Sequence, residues 1–166
     1  MQHNVGELII YGTNGICRIE DIREENFTGV ARSYYILCPT EGSCRSKIFV
    51  PTDNEALVAM MHGLLSPEEL LAVTRATPCT AENEWPQDGR ARNKKCKELL
   101  ASGNRAALIS LVKTISQAGY KPTAAEENAC LRAAAMLHEE FSLLFDLPFS
   151  DMIPVIMGKI EPKRKQ

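Results

Sequence analysis

The residues best suited to chemistry lie together between positions 84 and 103, in EWPQDGRARNKKCKELLASG. This stretch holds the only Trp, Trp85, and five cations, Arg90, Arg92, Lys94, Lys95 and Lys97, with no carboxylate from Gly89 to Lys97. On a helix, Arg90, Lys94 and Lys97 recur at i, i+4 and i+7 and form one ridge. Such a ridge suits the phosphates bordering a nucleic-acid groove, where each neutralised phosphate releases condensed counterions. An aromatic ring at the entry of a basic helix suits a wedge between base steps of a minor groove. The same residues also suit a plainer role, since charge clusters commonly form solvated helix faces and a lone Trp commonly anchors packing. Pro86 and Gly89 mark a turn around Trp85 and lead one to expect an exposed ring.

A catalytic reading has less to build on. Of three His, His3 is expected in a frayed terminus, and His62 and His138 in helices with strong apolar stripes. No GxSxG, HExxH, P-loop or GxGxxG motif occurs. The six Cys, at 17, 38, 44, 79, 96 and 130, make no CxxC pair and no Cys/His cluster at zinc spacing. Cys17, Cys38 and Cys130 sit in apolar runs where Cys packs as a small core residue. A Cys–His nucleophile needs only a meeting in space, so a thiol enzyme or redox sensor stays open as a remote alternative. Glu139 and Glu140 diverge by about 100° on a helix and are expected on a solvated face rather than as a paired acid and base. The expectation is a non-enzymatic protein without metal or cofactor.

The chain has 166 residues, 45 % of them hydrophobic, with 19 Lys plus Arg against 21 Asp plus Glu. These proportions are those of a folded protein rather than a disordered one. No apolar run approaches the roughly 20 residues that span a bilayer. MQHNVGELIIY lacks a basic n-region and a small-residue cleavage site, so a cytoplasmic protein with reduced thiols is expected. A net charge of −2 supplies no overall positive field. Division of the chain changes that: five basic and eight acidic residues over 1–65, against fourteen and thirteen over 66–166, leave the cationic run local.

Two kinds of element must carry these residues. From Val5 to Pro51, short β-branched and aromatic runs (VGELIIY, ICRIEDI, SYYILC, KIFVP) alternate with the turn-forming YGTNG, EENFTG and PTEGS, which predicts four antiparallel strands. After Pro51 the period becomes helical. Thr52-Asp53-Asn54-Glu55 predicts a capping box for a helix carrying Leu57, Met60, Met61 and Leu64. Ser66-Pro67-Glu68-Glu69 starts a second helix that Thr77-Pro78 stops. A polar segment from about Thr80 to Ala101 follows. Asn104 opens a helix with Leu108, Leu111, Val112 and Ile115 on one face, ended by Gly119. Thr123-Ala124-Ala125-Glu126 caps a helix striped by Cys130, Ala134, Leu137, Phe141 and Leu144 and ended by Pro148. A last helix aligns Ile153, Ile156, Met157 and Ile160. The predicted fold is α+β: a small SH3/Tudor-like antiparallel β barrel over 1–52, an all-helical domain over 53–162 and a polar tail over 163–166.

In their order and spacing, GELIIYGTNGICRIEDI, the junction KIFVPTDN, the EW start and KELLASGNRAALISLVKTI resemble the CarD/CdnL family of bacterial transcription regulators over nearly the whole chain. ASGNRAALISLVKTI and LHEEFSLLFDLPFSDMIPVI look most like its clostridial members. The resemblance implies a Tudor-like domain that docks on the RNA polymerase β subunit, partly through a sheet edge. It also implies a helical domain that lies on promoter DNA upstream of the −10 element and stabilises the open complex. By the same resemblance Trp85 enters the minor groove with low sequence specificity, Arg90, Arg92, Lys94, Lys95 and Lys97 hold the backbone, and no small-molecule substrate or membrane is involved. Gly12 stands where many members have Pro, and Glu25 and Phe49 where some have polymerase-contacting Arg, which leaves Phe49 and Pro51 as apolar polymerase contacts. The alternative is an adaptor whose SH3-like domain binds a protein partner and whose helical domain makes no direct DNA contact.

Overall fold

The computed structural model describes residues 2–41 and 45–166. The chain divides into two units, Met1–Leu64 and Leu65–Gln166. The first unit is a five-stranded antiparallel, Tudor-like sheet of order β4-β3-β2-β1-β5, and the second is helical, so the architecture is α+β as expected.

All four expected strands form: β1 Leu8–Tyr11, β2 Ile16–Glu25, β3 Arg32–Pro39 and β4 Ile48–Pro51. The spacing of Cys17, Ile19 and Ile22, first two and then three residues, matches a register shift in β2 between Ile19 and Asp21. One extra residue flips the side-chain parity, which keeps apolar groups facing the core on both sides of the bulge. Ile9, Cys17, Ile19, Leu37 and Val50 are fully buried in that core. The turn expected at PTEGS falls partly on 42–44, outside the described residues, as does Cys44.

The helix expected after Pro51 is mostly not there. Asn54, rather than Thr52, caps a single turn, α1 Glu55–Val58, and the chain then forms β5, Met61–Gly63, antiparallel to β1 with Tyr11 opposite Met61. The i, i+3, i+4, i+7 pattern fits a helix, but β1 presents an unpaired edge whose backbone groups need partners, and Gly63 weakens a helix. Pairing wins, and the first unit ends at Leu64 rather than at 52. Gly12 has φ +49°, and a Cβ there would lie 2.9 Å from Met60 Cε. A proline, locked near −65°, does not fit this backbone.

The helical unit comprises α2 Pro67–Ala76, α3 Gly89–Ser102, α4 Arg105–Ser116, α5 Ala124–Leu144 and α6 Met152–Ile156. Capping boxes at Ser66/Glu69 and Thr123/Glu126 start α2 and α5, and Asn104 caps α4, each as its sequence predicts. The last helix is shorter than expected: Ile160 is exposed, and the left-handed Gly158 ends the run. The helix α5 stops at Leu144, where β6, Phe145–Asp146, pairs with β7, Lys163–Arg164, a stretch expected as tail. Phe141, Phe145, Ile109, Leu111 and Met152 fill the core. No helix among the described residues is long and apolar enough to cross a membrane.

Candidate nucleic-acid interface and sheet edge

The cationic run lies on α3. Asp88 caps it through Oδ2, which accepts from Ala91 N–H at 3.1 Å, and the left-handed Gly103 terminates it. Arg90, Lys94 and Lys97 are all exposed, so the i, i+4, i+7 ridge faces solvent, and none of the three has an ion-pair partner among the described residues. The ridge is not what helix stability asks for. The first turns of α2 and α5 carry Glu68, Glu69 and Glu126, Glu127, whereas those of α3 and α4 carry no acid and hold Arg90 and Arg105. Cations there oppose the helix dipole; Arg105 of α4 is offset by its bond to the buried Glu140, whereas Arg90 has no ion pair among the described residues.

Trp85 departs from the expected exposure: only 8 % of it is accessible, and it packs into the helical core. Its Nε1–H donates to Tyr120 Oη at 2.8 Å, and the Tyr120 hydroxyl donates to Glu126 Oε1 at 2.7 Å. Arg92 Nε donates to the same oxygen at 2.7 Å, Arg92 Nη1 donates to the Gln87 carbonyl at 2.5 Å, and its guanidinium lies 4.2 Å over the Tyr120 ring. Arg92 is thus tied into a buried ion pair, and Lys95 is half-buried. Turn chemistry at Pro86 and Gly89 describes the backbone correctly without fixing where the ring points.

The electrostatics of this cluster follow from its hydrogen bonds. Burial pushes the Glu126 carboxyl up, but the Thr123 N–H, the Tyr120 hydroxyl and Arg92 together outweigh it and hold the group below its ordinary value. Arg92 shows the mirror balance: burial lowers it, and Glu126 more than restores it. Burial, then the Glu126 charge, pushes the Cys96 thiol up to about 11. Glu126 is legible in the sequence as a capping residue. Tyr120, in a polar loop, carries no signal of its role.

The histidines and cysteines lie elsewhere. His3 is buried rather than frayed, with Nδ1 3.3 Å from Glu7 Oε1, and His62 sits on β5. The His138 ring bonds the Leu147 carbonyl through Nε2 at 2.7 Å. Cys17, Cys96 and Cys130 are buried thiols, Cys79 is an exposed one, and Cys38 is disulfide-bonded, which corrects the expectation of thiols throughout. Glu140 is buried rather than solvated and takes a two-point bond from Arg105, at 2.7 and 2.8 Å. Among the described residues no group of three or more His, Cys, Asp or Glu is placed to hold a metal.

In the sheet unit, β4 is an edge strand. Val50 points into the core, and Phe49 and Pro51 alternate to the other face beside Ile36 and Tyr34. There Phe49 meets Phe27 edge-on with centroids 5.0 Å apart, and Phe27 meets Tyr34 at 5.3 Å. Phe27 and the nearby Val30 are 57 % and 63 % exposed. Phe27 is thus an exposed ring set against the half-buried Phe49 and the buried Tyr34 beside a sheet edge, a surface fit for a protein partner.

No curated protein matches the chain. The family described as CarD-like/TRCF RID domain matches residues 3–62, so it is in the five-stranded unit that this chain is similar to the CarD-like proteins.

Proposed function

We propose that the protein is a transcription regulator that binds RNA polymerase through its sheet unit and promoter DNA through its helical unit. In this reading the β subunit of the polymerase pairs with the β4 edge, with Phe49 and Pro51 in the contact and the Phe27 cluster beside them. The ridge Arg90, Lys94 and Lys97, flanked by Lys95 and Arg92, meets the DNA backbone upstream of the −10 element. Trp85 supplies the minor-groove contact, with little base specificity. Contact made better with opened than with closed DNA shifts the initiation complex towards the open form. The observation that carries the reading is the match of residues 3–62 to a CarD-like domain in a chain that also holds a solvent-facing cationic ridge.

A few phosphate contacts give weak, salt-sensitive affinity, so useful binding needs the high local concentration that polymerase docking supplies. A pull-down with a polymerase β-subunit fragment tests the first half of the proposal. Retention by the wild type and loss in Phe49→Asp support it, and equal retention contradicts the assigned edge.

The burial of Trp85 and Arg92 favours a second reading, an adaptor that binds a protein partner through its sheet and makes no direct DNA contact. Under that reading, reversal of Arg90, Lys94 and Lys97 to Glu leaves function intact.

A further inference from the structure

The connection between α2 and α3, residues 77–88, is neither helix nor strand and carries Trp85. It is fastened at few points. Lys113 Nζ holds the Thr77 carbonyl at 2.5 Å where the connection leaves α2. The Thr80 N–H donates to Thr114 Oγ1 at 2.8 Å, and Thr80 Oγ1 lies 3.2 Å from Ser110 Oγ. Beyond these, residues 81–84 are exposed, and the remaining hold is the Trp85 ring, packed into the core and bonded to Tyr120, with Arg92 on the Gln87 carbonyl. A cavity of about 660 Å³ lies along the segment, walled by Thr80, Ala81, Trp85 and Pro86 on one side and by Gln117 and Tyr120 on the other. Along this groove one face of the segment lacks protein packing, whereas the Trp85 ring itself is packed into the helical core.

We propose that Tyr120, Glu126 and Arg92 form a clasp that keeps Trp85 withdrawn, and that the segment 81–88 lifts to present the ring to DNA. The inference rests on the DNA-contact reading above and adds its regulation. A ring that is 8 % accessible, with its N–H spent on Tyr120, has too little free surface to wedge between base pairs. Closed protein therefore binds with an affinity reduced by the fraction of molecules that are open. Arg92 in this state is a clasp residue, and the phosphate-facing charge is that of the exposed ridge. The cost of opening makes stable engagement depend on a partner that holds the helical unit at the DNA, which restricts wedge insertion to the polymerase-bound protein.

Because Trp85 is the only Trp, its emission and its quenching by acrylamide report the clasp directly in the full chain. Tyr120→Phe keeps the ring but removes both hydroxyl bonds. Thr114→Val loosens the segment from its other fastening without touching the Trp85 cluster. With Tyr120→Phe, quenching at least doubles and affinity for a labelled forked duplex rises about fivefold, since one net hydrogen bond is worth roughly that factor. Thr114→Val moves both readouts the same way by a smaller amount. Unchanged quenching in both variants, or increased quenching without tighter binding, overturns the clasp. A triple variant, Arg90→Glu with Lys94→Glu and Lys97→Glu, separates the two claims. If it binds the fork as well as the wild type, the DNA reading falls and the clasp with it. If it loses binding while Tyr120→Phe gains none, the clasp alone falls.

Discussion

Glu126 shows how much one residue carries at the smallest scale. It caps α5, accepts the Tyr120 hydroxyl and neutralises Arg92, all while fully buried. Truncation of one partner of a buried pair strands the other charge, so Glu126→Ala is expected to cost the helical unit about 3–5 kcal/mol in denaturant unfolding. Its pH dependence follows from the lowered carboxyl. A group whose folded value lies below its unfolded one contributes fully at neutral pH, and that contribution fades as pH falls through the folded value. Thermal melts from pH 7 down to 3 should lose less stability in Glu126→Gln than in the wild type. The thiols differ as sharply. Cys79 is exposed, whereas Cys96 is buried with its thiol pushed up to about 11. A thiol reagent at neutral pH should modify Cys79 in the native protein and reach Cys96 and Cys130 only on unfolding. Native-state reaction at Cys96 would contradict its burial. The sequence marks Glu126 by its capping position, but it hides Tyr120 and Glu140, because nothing in a single chain position says which distant side chain will meet it.

At the scale of elements, the proposed DNA contact sets stability against function in α3. An acid near a helix N-terminus gains about 0.3–1 kcal/mol from the dipole, so Arg90→Glu is expected to raise the melting temperature slightly while weakening DNA binding. A variant that loses both would mean that Arg90 is structural. Elements with strong local codes were legible: the four β runs, the two capping boxes and Asn104 all stand where the sequence put them. The segment 52–64 was not, because Leu57, Met60, Met61 and Leu64 satisfy a helical period that tertiary pairing overrides. Only the vacant edge of β1, a feature of the folded sheet, decides between one helical turn and a strand. Gly12 belongs to the same junction. Its positive φ and the nearby Met60 Cε make Gly12→Ala destabilising, by about 1–2 kcal/mol in urea unfolding.

At the scale of the whole molecule, a net charge of −2 conceals an uneven distribution of charge. The sheet unit carries the CarD-like match and the exposed Phe27 beside its β4 edge, and the helical unit carries the exposed ridge. Three exposed cations predict a slope of about −3 for log affinity against log salt on duplex DNA, within reach of a simple titration. That weak contact gains meaning only when a second surface holds the protein in place. The lifetime of the open promoter complex, timed with polymerase under competitor challenge, therefore tests the central claim most directly. The wild type should lengthen it, and the Arg90→Glu, Lys94→Glu, Lys97→Glu variant should abolish that effect while still binding polymerase. A variant that lengthens the lifetime as fully as the wild type would contradict the bridge.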